Sequence, residues 1–398
     1  MKTEKAVIVL GTFDSKAEEH LFLKRGIERR GTPVLTINVG AKNPPGFTPD
    51  FDLRPLEPLD RDQAVARLIE RGRVLLRELH AQGRVAGVVS AGGGTGTHLG
   101  TGIMKALPLG VPKLMVSTVA ARDMAPVVGV HDITIMHSVG DLLGVNAITG
   151  VILDQAAAAI AAMAGAAWAS PGGRKRVALT MFGFITKAAE QVRAELEKMG
   201  CEVAAFHANG TGGLAMEKLA GEGWFDGILD LATHELADSL YPGGYCRLIG
   251  PGRLEGGGND RAVPRLVVPG GLDCAVLEFT RDNVPSELKD RRTFFYDFRS
   301  AVNLTPAETR GLAEDIRRSL NRYRGAVRVL SPMGGWSEAA GENGPLYDPE
   351  AAREFINILR RGLAPAVEVR ESSRHINDPG FAVEAAGLMN EMMNAPQV

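Results

Sequence analysis

The chain has 398 residues, 45% of them apolar, and a formal net charge of −2. That length exceeds one ordinary domain and leads to an expectation of two, with apolar content enough for full cores. The near balance of charge implies neither a nucleic-acid surface nor an acidic tail, and Cys201, Cys246 and Cys274 are too few and too far apart for a disulfide framework or a zinc-finger spacing.

The polar residues 1–5 lead directly into a strand, so no signal peptide is expected. Strand and helix signals then alternate: strand 6–10, helix 16–30, strand 33–39, a Pro-rich connector 43–58, helix 61–82, strand 85–90, a helix from Leu99 to Leu107, strands 111–117 and 133–136. An Ala-rich helix closes this half near Trp168. Its surroundings, 145–168, carry Asp154 and Gln155, which fits a packed helix better than a membrane span. A cytoplasmic protein without membrane or nucleic-acid partners is the expectation. Pro171, Gly172 and Gly173 mark the domain boundary, giving domains 1–170 and 174–398. The second half repeats the rhythm: strand 177–181, helix 187–199, strand 202–206, helix 213–221, strands 227–230 and 266–268, helix 306–323, strand 327–330, helix 349–361, strand 366–369 and helix 379–393. The fold class is therefore α/β, two doubly wound Rossmann-like domains with mainly parallel sheets. Gly94-Thr95-Gly96 and Gly210-Thr211-Gly212 hint at an internal repeat.

Ligands of open α/β sheets sit at the carboxyl ends of the strands. The densest such end is Gly92-Gly93-Gly94-Thr95-Gly96-Thr97, a glycine-rich link from strand to helix that brings backbone N–H groups to an anion with no Cβ in the way. A tight βα turn needing glycine only for its geometry is the alternative. Gly11, Thr12, Asp14, Ser15, Lys16, Asn38, Ser117, Thr118 and Arg122 lie at neighbouring strand ends. Lys16 and Arg122 are suited to neutralise phosphate, and Asp14 or Asp132 to hold magnesium through water. Asp14 and Ser15 also suit helix N-capping. In the second half, Gly183, Thr186, His207, Gly212, Gly213, Asp230 and Glu235 define a second candidate pocket. His207, His234, Asp230 and Glu235 are metal-capable without a strong ligand spacing.

Gly92 to Thr97 resembles the tubulin and FtsZ-type GTP-binding signature, but His98 stands where that signature has glycine, so the similarity reads as convergence on phosphate binding. A second resemblance spans almost the whole chain. Gly11 to Lys16, Gly92 to Thr97, Leu107-Pro108-Leu109-Gly110, Ser117-Thr118-Val119-Ala120, Met181-Phe182-Gly183, Phe206-His207-Ala208, Glu235-Leu236-Ala237-Asp238 and Tyr347-Asp348-Pro349 resemble, in order, the Tm-one-like ATP-binding family, relatives of a plant tomato mosaic virus resistance protein. The resemblance implies two Rossmann-like domains, ATP or a related nucleotide in the first, and a homodimer. Plant members carry a TIM-barrel domain behind this region, which a chain ending at Val398 is expected to lack. Leu214 stands where an Arg commonly follows the Gly-Gly pair, Phe295-Tyr296 and Asn303 replace a usual His-Asn pair and later Arg, and Ala339-Ala340 lie near a usual Asp. A second-domain wall more apolar than the family's follows. The resulting expectation is a nucleotide-binding protein, ATP with Mg, adenine against guanine left open. Slow ATP hydrolysis or ATP-dependent chemistry on a small acid at the interdomain cleft is one reading. A non-catalytic module docking a separate TIM-barrel protein is the other.

Overall fold

A computed structural model describes residues 5–42, 46–55, 59–256 and 263–395; part of the connector expected at 43–58 lies outside them. The chain divides into two compact units, Met1–Ser170 and Pro171–Val398.

The first unit runs β1 (Ala6–Gly11), α1 (Ala17–Glu28), β2 (Val34–Asn38), β3 (Phe51–Asp52), α2 (Arg61–Ala81), β4 (Val85–Gly92), α3 (Gly94–Met104), β5 (Lys113–Ser117), α4 (Ala125–Val128), β6 (Thr134–His137) and α5 (Ala147–Ala164). Its six strands form one parallel sheet in the order β3-β2-β1-β4-β5-β6, the Rossmann order. Strand side chains alternate between faces. Val7 and Val9 enter a core with Leu23, Ile27, Leu153 and Ile160 of α1 and α5. Ile8 and Leu10 enter the opposite one, with Leu68, Leu76 and Ile103 of α2 and α3. Both faces are thus covered, which is why these strands read as unbroken apolar runs.

The second unit runs β7 (Arg176–Met181), α6 (Thr186–Lys198), β8 (Glu202–His207), α7 (Gly212–Gly221), β9 (Gly227–Ala232), α8 (Glu235–Asp238), β10 (Arg265–Gly270), β11 (Cys274–Leu277), β12 (Thr293–Phe295), β13 (Ser300–Asn303), α9 (Pro306–Arg322), β14 (Val327–Pro332), α10 (Pro349–Gly362), β15 (Glu368–Ser372) and α11 (Pro379–Asn394). Six strands again pair in parallel, in the order β15-β14-β10-β9-β7-β8. A small antiparallel sheet, β11-β13-β12, was not expected from the sequence. The two large sheets confirm the doubly wound α/β class. Apart from the two-residue edge strand β3 and the edge strand β15, the two orders correspond, β2-β1-β4-β5-β6 and β8-β7-β9-β10-β14. In chain order, however, Gly94-Thr95-Gly96 follows the third of these strands and Gly210-Thr211-Gly212 the second, so the two tripeptides are not at equivalent places.

Two helices depart from expectation. α3 begins at Gly94 rather than Leu99, so the glycine run is the helix's first turn. α5 ends at Ala164; a capping box of Asn146 and Thr149 starts it, and Ala156 and Ala157 are buried against α1, where an added Cβ on Gly26 would stand 2.8 Å from Ala157 Cβ. Its small residues therefore serve packing inside the first unit. α5 is long and apolar enough to cross a membrane by composition, but Leu153, Ala156, Ala157 and Ile160 belong to the core.

Asp132 is a correction. It precedes β6 and receives Lys113 Nζ at 2.7 Å and Gly110 N–H at 3.0 Å, at the amino edge of the sheet, opposite the strand ends where Gly92 and Gly11 lie. It neutralises a lysine whose side chain is fully buried and cannot share a magnesium ion with Asp14. Asp132→Ala removes the carboxylate that receives this ammonium while the carbonyls of Pro108 and Val111 stay. Because Asp132 is itself 31% exposed, the expected loss is about 2 kcal/mol rather than the full cost of breaking a buried pair, to be read from urea denaturation midpoints at constant m.

Candidate functional site

The connections from β1 and β4 leave adjacent strands toward opposite faces, α1 to one and α3 to the other, and open a crevice at their carboxyl ends. A cleft of about 690 Å³ occupies it, lined by the turn 12–16, by Val39 to Lys42, by Leu59 to Arg61 and by Gly92 to Gly96. Of the three helices that begin here, α1 and α3 lack a side-chain cap, as α4, α6, α7 and α8 do elsewhere, while Asp60 caps α2. The helices α5, α9, α10 and α11 each have one too. Among the described residues no group accepts from the amides of Gly94, Thr95 and Gly96, the orphan donors of a helix start.

A Cβ built at each glycine separates the two explanations for the run. At Gly92 it would lie 2.9 Å from Gly96 Cα, so packing requires that glycine. At Gly93 it would meet only Thr118 Oγ1 at 3.7 Å, at Gly94 nothing within 4 Å, and at Gly96 only Ala91 O at 3.9 Å. Gly93 has φ −74°, open to any residue. Glycine inside a helix costs about 1 kcal/mol relative to alanine, and at Gly94 and Gly96 the neighbouring protein offers no reason for it. What these positions preserve is bare backbone facing the cleft.

Around this floor, Asp14 accepts Lys42 N–H on Oδ2 at 3.0 Å, and its carboxylate fills the space where Gly40 would carry a Cβ. Ser15 is exposed and its hydroxyl donates to Thr12 Oγ1. Lys16 lines the cleft and its ammonium donates to the Leu142 carbonyl, with Glu19 3.8 Å away. Thr118 N–H donates to Gly92 O at 3.2 Å. Three expected residues turn inward. Asn38 is buried, accepting from Phe13 and Gly40 N–H and donating to Asp52. Thr97 and Ser117 are buried and joined hydroxyl to hydroxyl at 2.7 Å. They brace the loop rather than face a ligand. Arg122 is exposed beyond β5 and outside the cleft lining.

Two residues at the cleft escaped sequence reasoning. Arg61, the first residue of α2, donates from Nη2 to Thr95 Oγ1 at 2.9 Å, bringing a guanidinium over the glycine run. His20 is fully buried against Gly11, where an added Cβ would fall 1.9 Å from its Nε2. Its Nδ1–H donates to Lys16 O at 2.6 Å and Nε2 accepts from Ala91 N–H at 3.4 Å, tying β1, β4 and α1 together beneath the site.

The second candidate pocket resolves differently. Gly183 and Thr186 bond to one another at the start of α6, and His207 ends β8 with part of its ring at the surface, where partial desolvation and then nearby His234 and Arg299 hold its imidazole below the usual range. Here the glycines are dictated by packing: a Cβ on Gly212 would stand 2.1 Å from His207 O, and one on Gly213 2.1 Å from Glu235 Oε1. Asp230 and Glu235, expected to line a pocket, are instead buried in an ionic cluster. Arg253 reaches Glu235 (2.7 Å), Glu217 (3.0 Å) and Asp230 (2.5 Å), and Arg265 reaches Glu217 (2.6 Å) and Asp230 (2.7 Å). Tyr296 packs edge-on against Phe184, while Phe295 turns to Phe279, Leu288 and Val302. Ala339 and Ala340 are core.

Residues 5–169 match the N-terminal domain of the uncharacterised protein family UPF0261, and residues 174–393 its C-terminal domain. The chain belongs to the UPF0261 family. A UPF0261 protein of Clostridium tetani is 33% identical over 98% of this chain and 99% of its own. The tomato (Solanum lycopersicum) ToMV susceptible protein tm-1(GCR26) is 29% identical over 94% of this chain and 54% of its own, in line with the Tm-one-like resemblance. UDP-GlcNAc 2-epimerase from Neisseria meningitidis overlaps 99% of the chain and 95% of its own at 10% identity and a TM-score of 0.25; the fold of this UPF0261 member rests on its own strand order.

Burial lowers the His20 pKa from 6.5 to about 4. A base held neutral in the fold contributes stability that is complete above pH 6.5, falls as the unfolded chain takes up the proton, and is gone by pH 4. The total is on the order of 3 kcal/mol, about 2 of it lost by pH 5. His20→Gln should be less stable at neutral pH, with a slope of unfolding free energy against pH shallower by up to one proton between pH 6.5 and 4. Equal slopes in the two proteins would show that His20 is not held neutral.

Proposed function

We propose that the first unit of this UPF0261 protein binds a nucleoside triphosphate, ATP with magnesium, with its phosphates on the amides of Gly94, Thr95 and Gly96. The observation that carries the reading is the set of glycines at 93, 94 and 96 that the fold itself does not need. Lys16 and Arg61 flank the floor as cations, Thr12 and Thr95 add hydroxyls, and Thr118 Oγ1 stands 3.7 Å from where Gly93 would carry a Cβ. Asp14 fits magnesium: its carboxylate lines the cleft and keeps free lone pairs after one backbone bond. The dinucleotide alternative has less support, because that fingerprint places its glycines after the first strand, where this chain has Thr12-Phe13-Asp14-Ser15 with Phe13 buried. The enzyme reading is slow ATP hydrolysis or ATP-dependent chemistry on a small acid. A docking module for a separate barrel protein is the second reading, favoured by the tomato relative, whose chain extends well beyond the matched region. A rise in nucleotide turnover on adding organic acids separates them.

Calorimetry should find Mg-ATP binding to the wild type, with GTP as the comparison that settles the base. Gly93→Val, whose Cβ has room in the fold, should weaken binding about 30-fold, roughly 2 kcal/mol of lost phosphate contacts. Absence of binding by the wild type would overturn the reading, and unchanged affinity in a folded Gly93→Val would move the site elsewhere.

The reading includes a homodimer. Leu143, Ile148 and Val151, at and just before α5, are exposed apolar residues that a partner copy would cover. Light scattering should give about twice the 42.4 kDa chain mass; a monomer at all concentrations would contradict it.

A further inference from the structure

The carboxyl end of β9 in the second unit carries a group of side chains that neither the nucleotide reading nor the ionic cluster uses. His234 precedes the single turn of α8, and Asp238 closes that turn four residues on, which places both side chains on one side. The loop after α8 returns Cys246 to them. Gly244 makes the return tight: a Cβ there would fall 2.0 Å from Asp238 O. One donor atom from each of His234, Asp238 and Cys246 lies within 4.8 Å of the others, and all three residues are buried.

We propose that His234, Asp238 and Cys246 form a site for a divalent metal ion of the zinc class. The imidazole is prepared for it. Nδ1–H donates to Gly271 O at 2.8 Å, which fixes the tautomer and leaves the Nε2 lone pair as the free end. Phe182 stacks on the ring at 3.9 Å and holds its plane. Nε2 stands 3.2 Å from Asp238 Oδ1 but off the hydrogen-bonding direction, so among the described residues it has no hydrogen-bond partner. A buried ring nitrogen without a hydrogen-bond partner beside a carboxylate is an arrangement that a cation between them satisfies.

The carboxylate is equally fixed. Oδ1 accepts Val276 N–H and Oδ2 accepts Cys246 N–H, both at 2.7 Å, and each oxygen keeps a lone pair for a metal. The second of these bonds ties the proposed thiolate ligand to the proposed oxygen ligand through the backbone. A mixed nitrogen, oxygen and sulfur set suits zinc; the thiolate disfavours magnesium and calcium, and the single sulfur disfavours copper(I). Tetrahedral zinc at bond lengths of roughly 2.0 to 2.3 Å wants ligand atoms roughly 3.3 to 3.8 Å apart, so the side chains close by about an ångström at most. Three protein ligands leave a fourth position for water. Binding breaks the Cys246 S–H bond, forms a metal–sulfur bond and releases the proton to solvent.

The site is tested on the full chain without nucleotide, so that its failure and that of the ATP reading are separate results. Chelator-stripped protein is titrated with zinc against a chromophoric competitor, then with cobalt(II). About one equivalent per chain is expected, and the cobalt form should show near-ultraviolet thiolate charge transfer with visible d–d bands. Cys246→Ser should abolish the charge-transfer band, and Cys246→Ser and His234→Gln should each weaken zinc at least tenfold, while Cys201→Ala changes neither. The wild-type cobalt spectrum needs no variant to fold. No band and no stoichiometric zinc would overturn the proposal and leave a His–Asp ion pair only, and a band that survives Cys246→Ser would assign the sulfur elsewhere and overturn it too.

Discussion

In the first unit everything near the cleft depends on two adjacent parallel strands, β1 and β4, sending their connections to opposite faces of the sheet. Because Val7 and Val9 face α1 and α5 while Ile8 and Leu10 face α2 and α3, neither helix can close over the strand ends. The loops therefore part, and the crevice between them is a result of core packing. His20 and Gly11 hold the seam at its base: the ring occupies the volume a side chain at position 11 would need and bonds to both flanking segments. Cleft and core are one construction, since the groups that shape the opening are the ones that close the sheet beneath it.

The fold was largely legible because buried parallel strands write themselves as runs such as Val7-Ile8-Val9-Leu10, and these survive loss of all tertiary information. Boundaries failed where propensity and context disagree. Glycine is a poor helix former, so α3 reads as starting at Leu99, yet the chain spends its first turn on Gly94 and Gly96. The strands β12 and β13, three and four residues long, are too short for a periodic signal. Asp132 was readable after all, since a residue just before a strand must sit at its amino edge. Asn38, Thr97 and Ser117 were not: position along a strand is legible, but which hydroxyl or amide turns inward is set by neighbours far away in sequence. Asp230 and Glu235 likewise find Arg253 and Arg265 only through the tertiary fold.

The two Gly-Thr-Gly tripeptides show how little a motif says before its surroundings are known. At 210–212 the glycines are forced by carbonyl oxygens of His207 and Arg247 within 2.1 Å of any added Cβ. At 94–96 nothing forces them. The same three letters therefore record tight packing in one unit and deliberate bareness in the other, and steric demand separates the cases without reference to a ligand.

The ionic cluster of the second unit has a consequence for how this sequence can change. Two guanidinium groups and three carboxylates share one dry volume, each bonded to at least one opposite charge. Loss of Arg253 leaves Glu235 with no opposite charge, and loss of either guanidinium leaves three buried carboxylates to one cation. Glu235, the odd carboxylate, can go and leave two charges of each sign. Exchanging the whole set for apolar side chains of similar volume carries no such cost. Glu217, Asp230, Arg253 and Arg265 thus balance as two and two across 49 positions of chain, so drift by one-residue steps is open at Glu235 and costly at either arginine.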